Sequence, residues 1–168
     1  MAGRAPEIGA TAHTVAGNVE RLRKVRNLTW TQLSERLESL GWNLTPVAIK
    51  NIESVKRRVD VDDLVALAAA LGVSPATLLG PPFTEPTESA EVLNLEVNAV
   101  LLWEWLRGNK PLPGQSLNEF LFTSSPPWIV QRMLHHLQKE EEAFAAEARE
   151  ELLEGAFGPD RKPDGDDK

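Results

Sequence analysis

The stretch Thr45-Pro-Val-Ala-Ile-Lys-Asn-Ile-Glu53 decides how the rest of the chain is read. Thr45 offers a side-chain oxygen to the free N–H groups of a helix start, and Pro46 at the first helical position gives up a donor the helix does not use. Ile49 and Ile52 stand three residues apart on one face of the resulting short helix. A short helix with a Thr-Pro start exposes its N-terminal residues.

Working outward, the same grammar repeats. Upstream, Thr29 is a good N-cap for a helix from Trp30 to Leu40 that places Leu33, Leu37 and Leu40 on one face, and Gly41 ends it. Trp42-Asn43-Leu44 makes the turn into Thr45. Before it, a helix from Val15 to Arg26 turns Val19, Leu22 and Val25 inward, and Asn27 suits a left-handed C-cap. Downstream, Val55 to Val59 is a basic loop. Asp60 or Asp62 caps a fourth helix reaching Leu71, with Leu64, Leu67, Ala68 and Leu71 at helical spacing, and Gly72 stops it. Ser74-Pro75 opens a short fifth helix ending at Leu79-Gly80.

These pieces, in this order, resemble the lambda-repressor-like family, also called the Cro/repressor or XRE-type helix-turn-helix family. The resemblance rests on Val19-Glu-Arg-Leu-Arg-Lys-Val-Arg-Asn-Leu-Thr29, Gln32-Leu-Ser34, Ile49-Lys-Asn-Ile-Glu53, Lys56-Arg-Arg58 and Val61-Asp-Asp-Leu-Val-Ala-Leu-Ala-Ala-Ala-Leu-Gly-Val-Ser-Pro75. It covers residues 15–80. The fold class it implies is all-α: a five-helix lambda-repressor-like DNA-binding domain followed by a small C-terminal helical segment.

The resemblance also implies a division of labour. The helix opened by Thr45 enters a major groove about 12 Å wide, with Pro46, Val47, Lys50 and Asn51 toward the base edges. Asn51 suits an adenine edge, Lys50 a guanine edge or a phosphate, and Val47 a thymine methyl. Thr29, Trp30, Thr31 and Thr45 occupy phosphate-facing helix starts, and Lys56, Arg57 and Arg58 resemble phosphate clamps. For Trp30, where the family often has Gln, packing is an equal alternative. Arg23 and Glu53 match a structural ion pair of the family. There are two departures. The connection through Ser39 to Leu44 is longer than in short members of the family, which shifts the expected contacts. Val55 stands where the family usually has Gly; a β-branched residue resists the left-handed conformation, so the helix is expected to run a further turn and take Lys56 with it.

Net charge is −7, which at first argues against a nucleic-acid partner. The distribution reverses that argument. Residues 15–80 carry nine Lys/Arg and seven Asp/Glu, whereas residues 81–168 carry eight Lys/Arg and seventeen Asp/Glu. A mildly basic half precedes an acidic one. The chain has no Cys, which excludes disulfides and thiolate metal sites, and no apolar run of membrane-spanning length. Residues 1–14 read as a flexible arm without the apolar region of a secretory signal, so the expected location is cytoplasmic, on the nucleoid.

The polar, Pro-containing residues 81–89 read as a linker. Residues 90–154 follow as a helical dimerisation, effector or partner-binding region. It is read as an apolar helix from Ala90 to Arg107, a short amphipathic segment from Ser116 to Phe122, and a long helix after Ser125-Pro126. Trp103, Trp128, Met133, Leu137 and Phe144 are the candidate interface residues, set against the plainer reading of a small helical core. Residues 155–168 read as a disordered acidic tail. His136 and Glu140 share a helix face, but no third ligand accompanies them, so no metal and no cofactor are expected. No nucleophile motif, phosphate loop or acid–base pair is present, so no catalytic residue and no enzyme are expected.

The expected function is a sequence-specific DNA-binding transcriptional regulator, a repressor acting as a homodimer on double-stranded DNA. The competing expectation is a protein-interaction module of the antitoxin or co-regulator type, whose acidic half binds a protein partner while the DNA domain autoregulates. A small-molecule effector at the C-terminal half is a further option.

Overall fold

The computed structural model describes residues 8–157 apart from Asn94, with side chains described as far as Leu152. Five helices come first: α1 (Ala10–Val25), α2 (Trp30–Ser39), α3 (Pro46–Glu53), α4 (Val61–Ala70) and α5 (Pro75–Leu79). Their starts follow cap chemistry. The side chains of Thr29, Thr45, Asp60 and Ser74 each accept a hydrogen bond from the backbone N–H three residues on, and the Gln32 side-chain oxygen accepts one from the Thr29 N–H to complete a capping box. Of the two candidate caps for α4, Asp60 is the one used.

Four of the helix ends share one lock. After α1, α2, α3 and α4 the chain places Asn27, Gly41, Val55 and Gly72 at positive φ. In each case two N–H groups fold back on the last turn, as Val55 N–H does to Ile52 O (2.9 Å) and Lys56 N–H to Asn51 O (2.8 Å). The expected extra turn after Val55 therefore does not form: α3 stops at Glu53 and Val55 takes φ +57°. The two returned hydrogen bonds and the anchoring of the following loop outweigh a cost of about 1–2 kcal/mol for a left-handed L-residue.

Val19, Leu33, Leu37, Ile49, Ile52, Leu67, Leu71 and Leu78 form the centre of one core. Two residues expected inside are outside. Val25 ends α1 and Leu40 is the C-cap of α2, where the helix has already rolled their side chains past the core; both are exposed. Helix α1 also begins five residues earlier than the pattern of large apolar residues indicated, because Ala10 to Thr14 hold no breaker after Gly9. Asn18 is fully buried. Its amide lies within 3.2 Å of the carbonyls of Thr77, Leu78 and Gly80, which are otherwise the unpaired end of α5.

The expectation of no strand is overturned. Residues read as the first half of a helix from Ala90 form a hairpin instead: β1 (Ser89–Val92) pairs antiparallel with β2 (Leu95–Asn98), Ala90 opposite Val97 and Val92 opposite Leu95. Leu93, Val97 and Val100 satisfy helical spacing, but Ala90, Val92, Leu95 and Val97 satisfy strand alternation across a two-residue turn, with Glu91 and Glu96 on the exposed side. Asn98 then caps α6 (Ala99–Leu106) by accepting from the Leu101 N–H (2.8 Å). The Ala99 N–H returns to the Glu88 carbonyl, and α6 buries Ala99 and Leu102. This first compact unit runs to Phe120.

Two further helices follow, α7 (Leu117–Ser124) and α8 (Pro127–Phe157). The second compact unit begins at Leu121 and contains α8, with 31 residues the longest helix described. The chain is thus mostly helical with one small sheet. Of the arm expected at residues 1–14, residues 1–7 lie outside the described residues and residues 10–14 belong to α1; of the disordered tail expected at residues 155–168, residues 158–168 lie outside them and residues 155–157 belong to α8.

Candidate nucleic-acid interface

Helix α3 separates its faces cleanly. Ile49 and Ile52 are fully buried, whereas Val47 and Lys50 are exposed and Pro46 and Asn51 half-exposed. Among the described residues the Asn51 amide has no side-chain partner, although its backbone carbonyl accepts from both Lys56 and Arg57. Val47, Lys50 and Asn51 therefore form one outward ridge of mixed apolar, cationic and amide character. That is the combination which reads base edges in a major groove.

Arg23 and Glu53 hold that ridge in place. Arg23 Nε donates to Glu53 Oε1 (2.6 Å) and Nη2 to Oε2 (2.8 Å), while Nη1 donates to the Leu28 carbonyl (2.8 Å). Both side chains are nearly buried. Hydrogen bonding of Arg23 to the Glu53 carboxylate is the main reason its pKa is raised above its ordinary value, so the guanidinium stays charged. One carboxylate thereby ties the end of α3 to α1 and to the turn before α2.

Trp30 joins the same carboxylate. Its Nε1 donates to Glu53 Oε2 (2.8 Å), Arg23 lies 5.0 Å from the ring centroid and Lys50 Nζ 5.4 Å from it. The single N–H of Trp30, which would have to face a phosphate, is committed within the domain. The indole instead forms a plate between the buried arginine and the exposed lysine.

The long connection between α2 and α3 is pinned rather than loose. Ser34 Oγ donates to the Leu44 carbonyl (2.7 Å), and Trp42 Nε1 donates to Asp63 Oδ1 (2.9 Å). Asp63 is only 2% exposed, and its second oxygen accepts from Arg57 Nη2 (2.8 Å). Arg57 thus bridges the basic loop to α4 while Lys56 and Arg58 extend on exposed positions beside it. Neither Asn18 nor the Trp42–Asp63–Arg57 cluster was selected as important from sequence. Their signals, an Asn within an apolar run and a Trp in a turn, are too common to single out.

Thr29, Thr31 and Thr45 are exposed at the starts of α2 and α3. Trp103 is exposed on α6, and Trp128, Met133, Leu137 and Phe144 are exposed on α8. His136 Nε2 lies 3.4 Å from Glu140 Oε1 on the exposed surface of α8.

A short exposed helix, buttressed by a second helix through a capped turn and set in a five-helix core, defines a helix-turn-helix DNA-binding domain. Residues 19–78 match the family model described as Helix-turn-helix, which is of the XRE or lambda-repressor-like kind. The match spans a little over a third of the chain. Comparisons with curated proteins and with solved structures gave no match. The matched domain supports a DNA-binding transcription regulator. No helix among the described residues is long and apolar enough to cross a membrane.

Proposed function

We propose that the protein is a sequence-specific transcriptional repressor of the cytoplasm that binds its operator as a homodimer. The observation that carries this reading is the outward ridge of α3, whose Val47, Lys50 and Asn51 project from a helix clamped at both ends. In the bound state Pro46 and Val47 lie against the groove wall, Asn51 takes an adenine edge and Lys50 leaves the Trp30 ring for a guanine or phosphate. Thr29, Thr31, Thr45, Lys56 and Arg58 meet the phosphates, and Arg57 does so with the donors left over from Asp63. Trp30 supports them without donating. One eight-residue helix reads too few bases for an operator, so two copies act on inverted half-sites about one DNA turn apart.

Selection of bound sequences from random DNA by the full chain tests this. A motif with two-fold symmetry is the expected result. Failure to enrich any motif would overturn sequence-specific binding.

A second reading has its own support. The exposed apolar residues and glutamates of α8 suit a protein partner, as in an antitoxin or co-regulator. A small-molecule effector would fit a cleft of about 450 Å³ between α1 and α6, where Phe83, Val100 and Trp103 form apolar walls and Arg21 and Glu85 the polar rim. Co-purification of one stoichiometric protein, or ligand-dependent thermal stabilisation, would favour these in turn.

A further inference from the structure

Helix α8 carries a row of apolar side chains whose spacing is the same read from either end. Ile129, Met133 and Leu137 precede the helix midpoint at steps of four, and Phe144, Ala148 and Leu152 follow it at steps of four. About a point between Glu140 and Glu141, Leu137 mirrors Phe144, Met133 mirrors Ala148 and Ile129 mirrors Leu152. The row is also largely uncovered: Met133 is 39% exposed, Leu137 59%, Phe144 75% and Leu152 74%. Isolated exposed apolar residues need no explanation, but a row along one helix face does.

The charges of α8 divide one residue before that point. Residues 127–139 carry Arg132, Lys139 and two His and no carboxylate, whereas residues 140–152 carry six Glu against Arg149. Two helices packed side by side lie about 8–10 Å apart, within the roughly 8–10 Å over which charges act at physiological salt. Parallel pairing would lay one acidic half along the other. Antiparallel pairing lays each acidic half along a basic one.

Resting on the dimeric reading above, we propose that α8 pairs with the α8 of a second copy of this chain, antiparallel, about a two-fold axis passing between Glu140 and Glu141. Each apolar residue then meets its mirror partner: the large Phe144 faces Leu137, and the long Met133 faces the small Ala148. Such a contact is self-complementary, as a two-fold interface requires. Glu140 and Glu141 meet their counterparts at the axis, and this repulsion weakens the pair.

Because the chain has no Cys, single cysteines in the full-length protein report the geometry directly. Under mild oxidation, Met133→Cys mixed with Ala148→Cys should give a mixed disulfide dimer at least several-fold more abundant than the self-linked dimer of either variant. Self-linking of Met133→Cys as the main product would show parallel pairing and overturn the proposal. Sedimentation supplies the second arm. Phe144→Glu, at a site too exposed to be needed for folding the monomer, should weaken dimerisation at least tenfold, and Glu141→Gln should tighten it. A Phe144→Glu protein that sediments as the same dimer would overturn the α8 contact while leaving a dimer through another surface in place. A wild-type chain that stays monomeric at all concentrations, with and without DNA, would overturn both.

Discussion

The indole nitrogen of Trp30 lies 2.8 Å from the Glu53 carboxylate oxygen that also receives Nη2 of Arg23. The start of α2, the end of α3 and the body of α1 thus converge on a single carboxylate. This geometry makes the recognition helix a rigid part of the core rather than an appendage, and it accounts for a Trp at the start of α2.

Removing that carboxylate should be costly. Glu53→Ala leaves a nearly buried guanidinium with only the Leu28 carbonyl and frees the indole N–H. The loss expected is about 3 kcal/mol or more, in the range for breaking a buried ion pair. Trp30→Phe removes one hydrogen bond and should cost only about 1 kcal/mol, since the ring is partly exposed. Denaturant unfolding of both variants measures the difference; equal losses would show that the indole, not the ion pair, dominates.

Asn51 should govern specificity more than affinity. Asn51→Ala is expected to reduce discrimination between operator and random DNA by roughly 1–3 kcal/mol while changing non-specific binding little. Titrating both DNAs at one salt concentration decides this, and an equal loss on each would remove Asn51 from base readout.

The three basic residues of the loop should separate into two kinds. Arg57→Ala strips one of two partners from the buried Asp63 and should lower stability by about 2 kcal/mol. Lys56→Ala and Arg58→Ala together should instead flatten the dependence of log affinity on log salt by up to about two contacts. Thermal melts and salt titrations of the same proteins provide both readouts.

Val55 offers a stabilising change. At φ +57° its side chain is strained, and Val55→Gly should relieve it for a net gain of about 1 kcal/mol after the extra chain entropy of glycine. A lower melting temperature would mean that the half-buried Val55 side chain contributes more by packing than it loses by strain.

Acid should loosen the segment leading into β1. Hydrogen bonds from the Thr84 and Glu85 N–H groups and the Thr84 hydroxyl hold the Glu88 carboxyl below its ordinary pKa. A lowered folded pKa contributes stability that is complete above the ordinary glutamate range and is lost as pH falls through the folded value. The difference in melting temperature between wild type and Glu88→Gln should therefore be largest near neutral pH and shrink in acid.

Most of the first bundle was legible from the chain alone because its signals are local. Thr29, Thr45 and Ser74 cap the helices they precede, and Gly41 and Gly72 end the helices they follow. Ile49 and Ile52 face inward because three residues make nearly one turn. Where reading failed, two local patterns competed. Leu93, Val97 and Val100 fit a helix as well as Val92, Leu95 and Val97 fit a hairpin, and packing of the hairpin with α6 in the first unit settles the choice. Val55 differs: a β-branched residue does resist the left-handed conformation, but the whole-domain arrangement overrides that preference.

Sequence by itself carried the resemblance to helix-turn-helix proteins, the caps and stops of the first helices, the inward face of α3 and the sharing of charge between a basic and an acidic half. These follow from periodicity, caps and composition, which act over a few residues. Tertiary structure alone decided that the Trp30 N–H is committed to Glu53, that Arg57 and Trp42 share the buried Asp63, and that Asn18 closes α5. Each of these joins residues far apart in the chain, and a buried polar group takes whichever partner the fold brings within about 3 Å, because leaving it unpaired costs more than any local preference.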